Sequence, residues 1–343
     1  MNLYKKNKHI SLIADIGGTN IRIGQTNKDN LIISVETYQC ANFNSLYEVL
    51  AFYIDKQELD GYCINACLAI ACPVDSDWIA MTNLSWQFSQ KQLQQQLKFN
   101  SLVFINDYTA IAMAIPFLVD SQKVKIGGGN AVSNNVISVC GPGTGLGVAN
   151  LIPISNSDKI KWQCVSGEGG HVDFAPVDDI ELKIFDYLKH SKKRISYEQL
   201  LSGYGLEQIY QALLFINGSS LEYSQTNKVS SEIISKQAVS GSCELCVKSL
   251  SQFCKVLGSF AGNLALQSCS LGGVYIAGGI VPNFITFIKD SDFRVRFEEK
   301  GRLSGITKQT PTYIITEPQP GLLGASAYLN QLTLTPNKAY KSI

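Results

Sequence analysis

Within seven positions, Gly167-Glu168-Gly169-Gly170-His171-Val172-Asp173, stand two acids, an imidazole and three glycines. A carboxylate or imidazole bridges adjacent hydroxyls as acceptor and donor, and glycines let a ring approach the backbone, so the run has the composition of a polyol site. Zinc is the sharper rival for His171, yet the chain has only three histidines and no second His or Cys at ligand spacing nearby. An amide and a carboxylate end the apolar run Leu102-Val103-Phe104-Ile105-Asn106-Asp107, at the carboxyl end of a predicted strand, where ligand sites collect in α/β sheets. Asp107 there has two readings: it accepts the proton of an attacking hydroxyl, or it caps the apolar helix expected over 108–118. Glu198, in Ser196-Tyr197-Glu198-Gln199-Leu200-Leu201-Ser202-Gly203, falls early in a predicted helix, where an acid is expected for its dipole interaction alone.

Two glycine-rich tips carry a second chemistry, because a missing Cβ lets backbone N–H groups approach phosphate oxygens. Asp15-Ile16-Gly17-Gly18-Thr19-Asn20 adds a carboxylate able to hold Mg²⁺ through water, while Gly141-Pro142-Gly143-Thr144-Gly145-Leu146-Gly147 sets Thr144 among four glycines. Neither is a Walker A and neither opens a helix, which disfavours a Rossmann dehydrogenase. Either tip alone reads equally as a tight turn; two in matching context read as phosphate binding. A third glycine site, Ala277-Gly278-Gly279-Ile280-Val281-Pro282, ends an apolar strand and leads into a helix. It is a plain turn or a surface on which adenine or ribose lies against bare backbone.

The elements that must position these groups follow from periodicity. Residues 11–15 and 21–26 read as strands about the first tip, and 136–140 and 148–152 repeat that plan about the second, an internal duplication with one copy per lobe. Residues 63–71 and 102–106 read as buried strands, and 89–97 as a helix with Ser89 and Gln92 as a capping box and 90–96 as its solvated glutamine face. Helices are predicted over 180–188, 197–215, 230–239 and 243–271, a strand over 274–277, a helix starting near Pro282 and a surface loop over 217–231.

A chain of 343 residues, 45% apolar, buries a sizeable core and at this length divides into two lobes. With 29 basic against 28 acidic residues it has no broad basic field for nucleic acid or anionic lipid, so the partner expected is a small molecule. Lys5, Lys6 and Lys8 precede an apolar run that Asp15 cuts short of a signal segment, and 250–271 is too interrupted by polar residues to span a membrane. The ten cysteines, Cys243-x-x-Cys246 among them, read as reduced, buried thiols of a cytosolic protein rather than as disulfides or half a metal knuckle.

With these residues in hand, the chain resembles the bacterial glucokinase family, the branch of the actin, Hsp70 and sugar-kinase superfamily distinct from the repressor, open-reading-frame and kinase group. The carriers are Ala14-Asp15-Ile16-Gly17-Gly18-Thr19-Asn20, Ala69-Ile70-Ala71-Cys72-Pro73, Met81-Thr82-Asn83, Ile105-Asn106-Asp107, the loop 141–147, residues 167–176, Leu201-Ser202-Gly203, residues 277–282 and Pro320-Gly321-Leu322-Leu323-Gly324. The resemblance implies an α/β, two-lobed actin-like fold with ribonuclease-H-like sheets and an interlobe cleft. It divides the chain into 1–107 plus 321–343 as the smaller lobe and 108–320 as the larger. It makes Ala14, Asp15, Ile16, Gly17, Gly18 and Thr19 the ATP-binding segment, beside Gly143, Thr144, Gly145, Gly278 and Gly279, with Asp15 holding Mg²⁺ through water. Asn106, Asp107, Glu168, His171 and Glu198 would hold glucose, which turns Glu198 from a structural acid into a ligand and Asp107 into the catalytic base. The expected enzyme is a cytoplasmic, dimeric glucokinase at the first step of glycolysis, using ATP and Mg²⁺. Tyr108 and Tyr204 depart from the family's pattern without touching the catalytic set. A glucose sensor without turnover is the rival from another class, with no helix-turn-helix before Asp15 to support it; a chaperone-like ATPase would have no use for Glu168 and His171. Among kinases, an N-acetylated or 2-epimeric hexose stays open.

Overall fold

The computed structural model describes residues 9–27, 29, 31–82, 84–155, 160–218 and 229–333. Asn83, the lysines at 5, 6 and 8, and 219–228 of the expected surface loop lie outside the described residues.

The chain forms two units by internal contact: one runs to Leu118 and resumes at Glu317, and the other is Val119–Thr316. In the first unit, β1 (His9–Ile16), β2 (Asn20–Thr26) and β3 (Ile32–Gln39) form an antiparallel meander; α1 (Leu46–Lys56) leads to β4 (Cys63–Ile70). A small hairpin, β5 (Trp78–Ala80) with β6 (Gln87–Ser89), and α2 (Gln90–Gln96) precede β7 (Ser101–Asn106), and α3 (Asp107–Ala114) follows it. The sheet order is β3-β2-β1-β4-β7, with β4 parallel to β1 and β7 parallel to β4. Alternation along β1 divides the core between the two faces: Leu12 and Ala14 pack with Leu46, Leu50 and Tyr53 around α1, while Ile13 packs with Cys67, Ala69 and Ile105 on the other side.

The second unit repeats this plan. Its strands are β8 (Lys123–Gly127), β9 (Ile137–Pro142), β10 (Leu146–Ser155) and β11 (Ile160–Gly167), followed by α4 (Asp179–Lys189), α5 (Gly203–Ile216), α6 (Ser231–Ser240) and α7 (Glu244–Ser268). Then come β12 (Val274–Ile276), α8 (Ile285–Asp290), α9 (Phe293–Glu298), α10 (Ser304–Gln309) and β13 (Thr312–Ile315). The order β11-β10-β9-β12-β13-β8 again sets an antiparallel meander beside two parallel strands, with β8 added antiparallel at the far edge. Helix α7 is the core's axis: Leu250, Phe253, Leu257 and Phe260 are buried, and Gly258 and Gly262 pass the carbonyls of Phe293 and Phe297 so closely that a Cβ would collide.

The final helix, α11 (Pro320–Thr333), returns to the first unit, where Leu322, Ala325 and Leu329 join the Ile13 cluster. A Cβ at Gly324 would run into the Ala110 carbonyl, so α11 and α3 meet backbone to backbone. That contact places α3 in the first unit, and the division falls after Leu118 and before Glu317 rather than at the 107/108 and 320/321 boundaries drawn from the sequence.

The expected helix 197–215 is interrupted. Tyr197–Gln199 is a single 3₁₀ turn, and α5 starts afresh at Gly203, capped by Ser202, whose hydroxyl accepts from the Gly205 N–H at 3.0 Å. Near Pro282 the helix is likewise replaced, by a 3₁₀ turn over Val281–Phe284, before α8 begins.

Candidate active site

In the first unit, the β1–β2 tip carries Ala14, Asp15, Ile16, Gly17, Gly18 and Thr19. Gly17 N donates to Asn20 O at 3.0 Å, and Cys40 N to Thr19 O at 2.8 Å, so the tip is anchored on both flanks. Asp15 lies opposite Arg22 in the hairpin register, 3.8 Å from its guanidinium, and its side chain is 24% exposed. The carboxylate occupies the place a Cβ on Gly321 would take, about 2.7 Å away, at the first turn of α11. Burial pushes the Asp15 carboxyl up, and Arg22 partly offsets it. A divalent cation relieves such a carboxylate more than one neighbouring guanidinium does, and Mg²⁺ is commonly held by one carboxylate with phosphates and water, so Asp15 fits the ion.

Asn106 ends β7 and is the N-cap of α3, its Oδ1 accepting from Tyr108 N at 2.9 Å. Asp107 is the first helical residue; its Oδ1 shares the same N–H at 2.9 Å. The capping role therefore belongs to Asn106. Parallel register puts Ile16, Ile70 and Asn106 in one row across β1, β4 and β7. The phosphate-type tip and Asp107 thus leave the same carboxyl edge of one sheet, two strand spacings or about 10 Å apart.

In the second unit the sugar kit and the second glycine loop form one cluster. Glu168 precedes a 3₁₀ turn over Gly169–His171, closed by His171 N donating to Glu168 O at 3.0 Å. Backbone pairing of Tyr197 N with Val172 O at 3.1 Å, and of Phe174 N with Ile195 O at 3.0 Å, brings the two segments side by side. Glu198 Oε1 consequently lies 3.7 Å from His171 Nε2, while Oε2 accepts from Leu146 N at 3.0 Å. Its carboxylate stands 2.6 Å from where a Gly145 Cβ would be, and a Cβ on Gly170 would strike the Leu146 carbonyl. Backbone packing requires glycine at 170, whereas at 145 a methyl would displace the end of the Glu198 side chain. At Gly143 and Gly167 a Cβ would meet nothing within 4 Å, so no packing in this unit asks for glycine there. Thr144 is exposed at the loop tip.

Gly278 adopts φ +86°, and a Cβ on it would strike the Pro142 carbonyl, so the third glycine site leans on the second loop. Asn283 Nδ2 donates to Gly279 O at 2.9 Å. Gly279, Ile280 and Asn283 form one wall of a cavity of about 570 Å³ whose other wall is α6, with Ser231, Glu232, Ser235 and Lys236.

Two arginines have no signal in the sequence. Arg22 pairs with Asp15 across the hairpin. Arg194 donates through Nη2 to the His171 carbonyl at 2.7 Å and pairs with Asp173, bracing the turn that carries His171.

A family model described as Glucokinase matches residues 12–332. The glucokinase of Colwellia psychrerythraea is 62% identical over 323 residues, 94% of this chain and 97% of that protein. The crystal structure of a glucokinase from an Antarctic psychrotroph superposes with a TM-score of 0.83 at 36% identity, over 94% of this chain and 98% of its own. A ROK-family glucokinase from Streptomyces griseus, solved with glucose and AMPPNP, shares the fold at a TM-score of 0.60 and 17% identity, over 94% and 99% of the two chains.

Proposed function

The chain belongs to the glucokinase family, and we propose that it transfers the γ-phosphoryl group of ATP to the 6-hydroxyl of D-glucose, giving glucose 6-phosphate and ADP, with Asp107 as the base. Its fold is the two-lobed, actin-like α/β fold of that family. The reading rests above all on Asp107, which leaves the same sheet edge as the Gly17-Gly18 tip in a chain matched over 12–332. About 10 Å is a span that a triphosphate anchored on the tip bridges with its γ-phosphorus.

In this reading the Asp107 carboxylate accepts the 6-hydroxyl proton as the sugar oxygen bonds to the γ-phosphorus and the bond to the β–γ bridging oxygen breaks. Asn106, Glu168, His171 and Glu198 hold the remaining hydroxyls. Backbone N–H groups of Gly18 and Thr19, and of Thr144 and Gly145, receive the phosphates, while those of Gly17 and Gly143 close their loops on Asn20 O and Gly145 O. Gly278 and Gly279 offer bare backbone to the adenosine. Mg²⁺, held through water by Asp15, would neutralise charge on the phosphate oxygens when bound. Arg22 and the first turn of α11 orient the Asp15 carboxylate, and Arg194 orients the His171 turn.

No helix among the described residues is long and apolar enough to cross a membrane. Family membership supports a cytoplasmic enzyme at the entry to glycolysis that works as a homodimer. The deciding experiment is a coupled glucose 6-phosphate assay with Mg-ATP and a panel of aldohexoses, including mannose and N-acetylglucosamine. Glucose is expected to show the highest kcat/KM. Absence of turnover with every hexose would favour a sensor, and preference for another hexose would overturn the substrate.

A further inference from the structure

The motif Cys243-x-x-Cys246 takes no part in phosphoryl transfer, and the structure alters its reading as two buried thiols. Cys243 is half-exposed and stands one residue before α7 as its N-cap, its sulfur accepting from Cys246 N at 3.3 Å. Cys246, one turn on, is buried, with its Sγ 3.4 Å from Oε1 of Gln237 on α6. The N-cap and the third helical residue stand one turn apart on the same side, and the Cys243 sulfur rests on the Cys246 N–H, so the two cysteines are neighbours at the start of a helix of 25 residues.

The surroundings separate the thiols chemically. The Cys246 thiol pulls the Cys243 thiol down, and the backbone N–H groups of Cys246 and Leu245 add to this against a smaller opposing effect of burial. Burial, then the bond to Cys243, pushes Cys246 up to about 12. An accessible sulfur stabilised as thiolate beside a buried, protonated one is the arrangement of an attacking and a resolving cysteine. Cys67, Cys140 and Cys254 differ: each is buried, and burial raises its thiol.

We propose that Cys243 and Cys246 form a reversible dithiol–disulfide couple that exchanges with low-molecular-weight disulfides. The Cys243 thiolate attacks one sulfur of the oxidant, expelling a thiolate that takes up a proton, and a mixed disulfide remains on Cys243. Cys246 then gives up its proton and attacks the Cys243 sulfur, expelling the second small thiolate, which is protonated in turn. Two protein thiols are oxidised and one small disulfide is reduced to two thiols. Closing the bond also removes the Cys246 proton shared with Gln237, loosening one tie between α7 and α6.

The test uses full-length protein carrying Cys269→Ser, which removes the exposed thiol. It is treated with oxidised glutathione, quenched with acid and mapped by mass spectrometry. The peptide between Lys236 and Lys248 is expected to lose two hydrogens and regain them with dithiothreitol. Adding Cys246→Ser should trap a glutathione adduct on Cys243, and adding Cys243→Ser, whose hydroxyl keeps the helix cap, should leave Cys246 reduced. Should Cys246→Ser fail to fold, Cys246→Ala gives the same trap. The proposal is overturned if this peptide stays reduced while Cys63 or Cys164 reacts, or if Cys243→Ser leaves Cys246 as reactive as before.

Discussion

Asn106 and Asp107 both accept from the Tyr108 N–H, Asn106 as the cap of α3 and Asp107 through Oδ1 as the first helical residue. The proposed role of base is what separates the two. Asp107→Asn keeps the shape and loses the proton acceptor, so kcat should fall about 10²–10⁴-fold with a smaller change in glucose binding. Steady-state kinetics with a separate glucose titration by intrinsic fluorescence checks this, and unchanged kcat would remove Asp107 as base. The glycines of the second loop permit a sharper comparison. Gly143→Ala adds a methyl that meets nothing within 4 Å, so thermal stability should hold, while KM for ATP should rise if the loop receives phosphate as proposed. Gly145→Ala pushes against the Glu198 carboxylate, so it should lower stability and raise KM for glucose together. If Gly143→Ala lowers stability and leaves KM for ATP unchanged, the loop is a turn only.

The decisive element is the break between the 3₁₀ turn at Tyr197–Gln199 and α5. Apolar residues recur throughout 197–215, so the sequence reads as one continuous helix that leaves Glu198 on an ordinary first turn, although the face of 197, 200 and 201 is not the face of 206 and 209. Ser202 ends that reading: its hydroxyl caps α5 at Gly205 N, and the turn before it pairs with the Val172 segment, carrying Glu198 to His171 and Leu146. Ser202→Ala should cost about 1 kcal/mol in urea unfolding and raise KM for glucose; an unchanged KM would show that the cap does not position Glu198. Elsewhere, β3 is tied to α1 by Glu36, which accepts from Lys56 Nζ at 2.6 Å and Gln57 Nε2 at 2.8 Å. Lys56 and then Tyr38 hold the Glu36 carboxyl below its ordinary value. Because the folded value is the lower one, this stability is present above the unfolded carboxylate range and is lost as pH falls through the folded value. Glu36→Gln should therefore lower the melting temperature at pH 7, by a loss under about 1 kcal/mol, and the two proteins should converge in acid. A gap that persists at low pH would assign the effect to packing.

At the scale of the whole chain, the repeated meander was legible because each copy announces itself locally, through β-prone runs on either side of a glycine-rich tip. The partner strands were not: β3 and β11 lie at sheet edges with most side chains exposed, so they lack an apolar run, and α8, α9 and α10 have six residues each, too few for a helical period. The candidate site divides in the same way. Its carboxylates and glycines stood out by type, whereas Arg22 and Arg194 matter through partners remote in sequence or across a hairpin, which spacing does not encode. The proposal that Asn106 and His171 both hold glucose has a thermodynamic consequence. Glucose at about 100 times its Kd should raise unfolding free energy by about 2.7 kcal/mol. Asn106→Ala, in the first unit, and His171→Ala, in the second, should each lose much of that gain at the same glucose concentration. Differential scanning calorimetry with and without glucose reads this directly. If His171→Ala lost the gain and Asn106→Ala kept all of it, Asn106 would not be a glucose ligand, and the case for its neighbour Asp107 as base would fall with it.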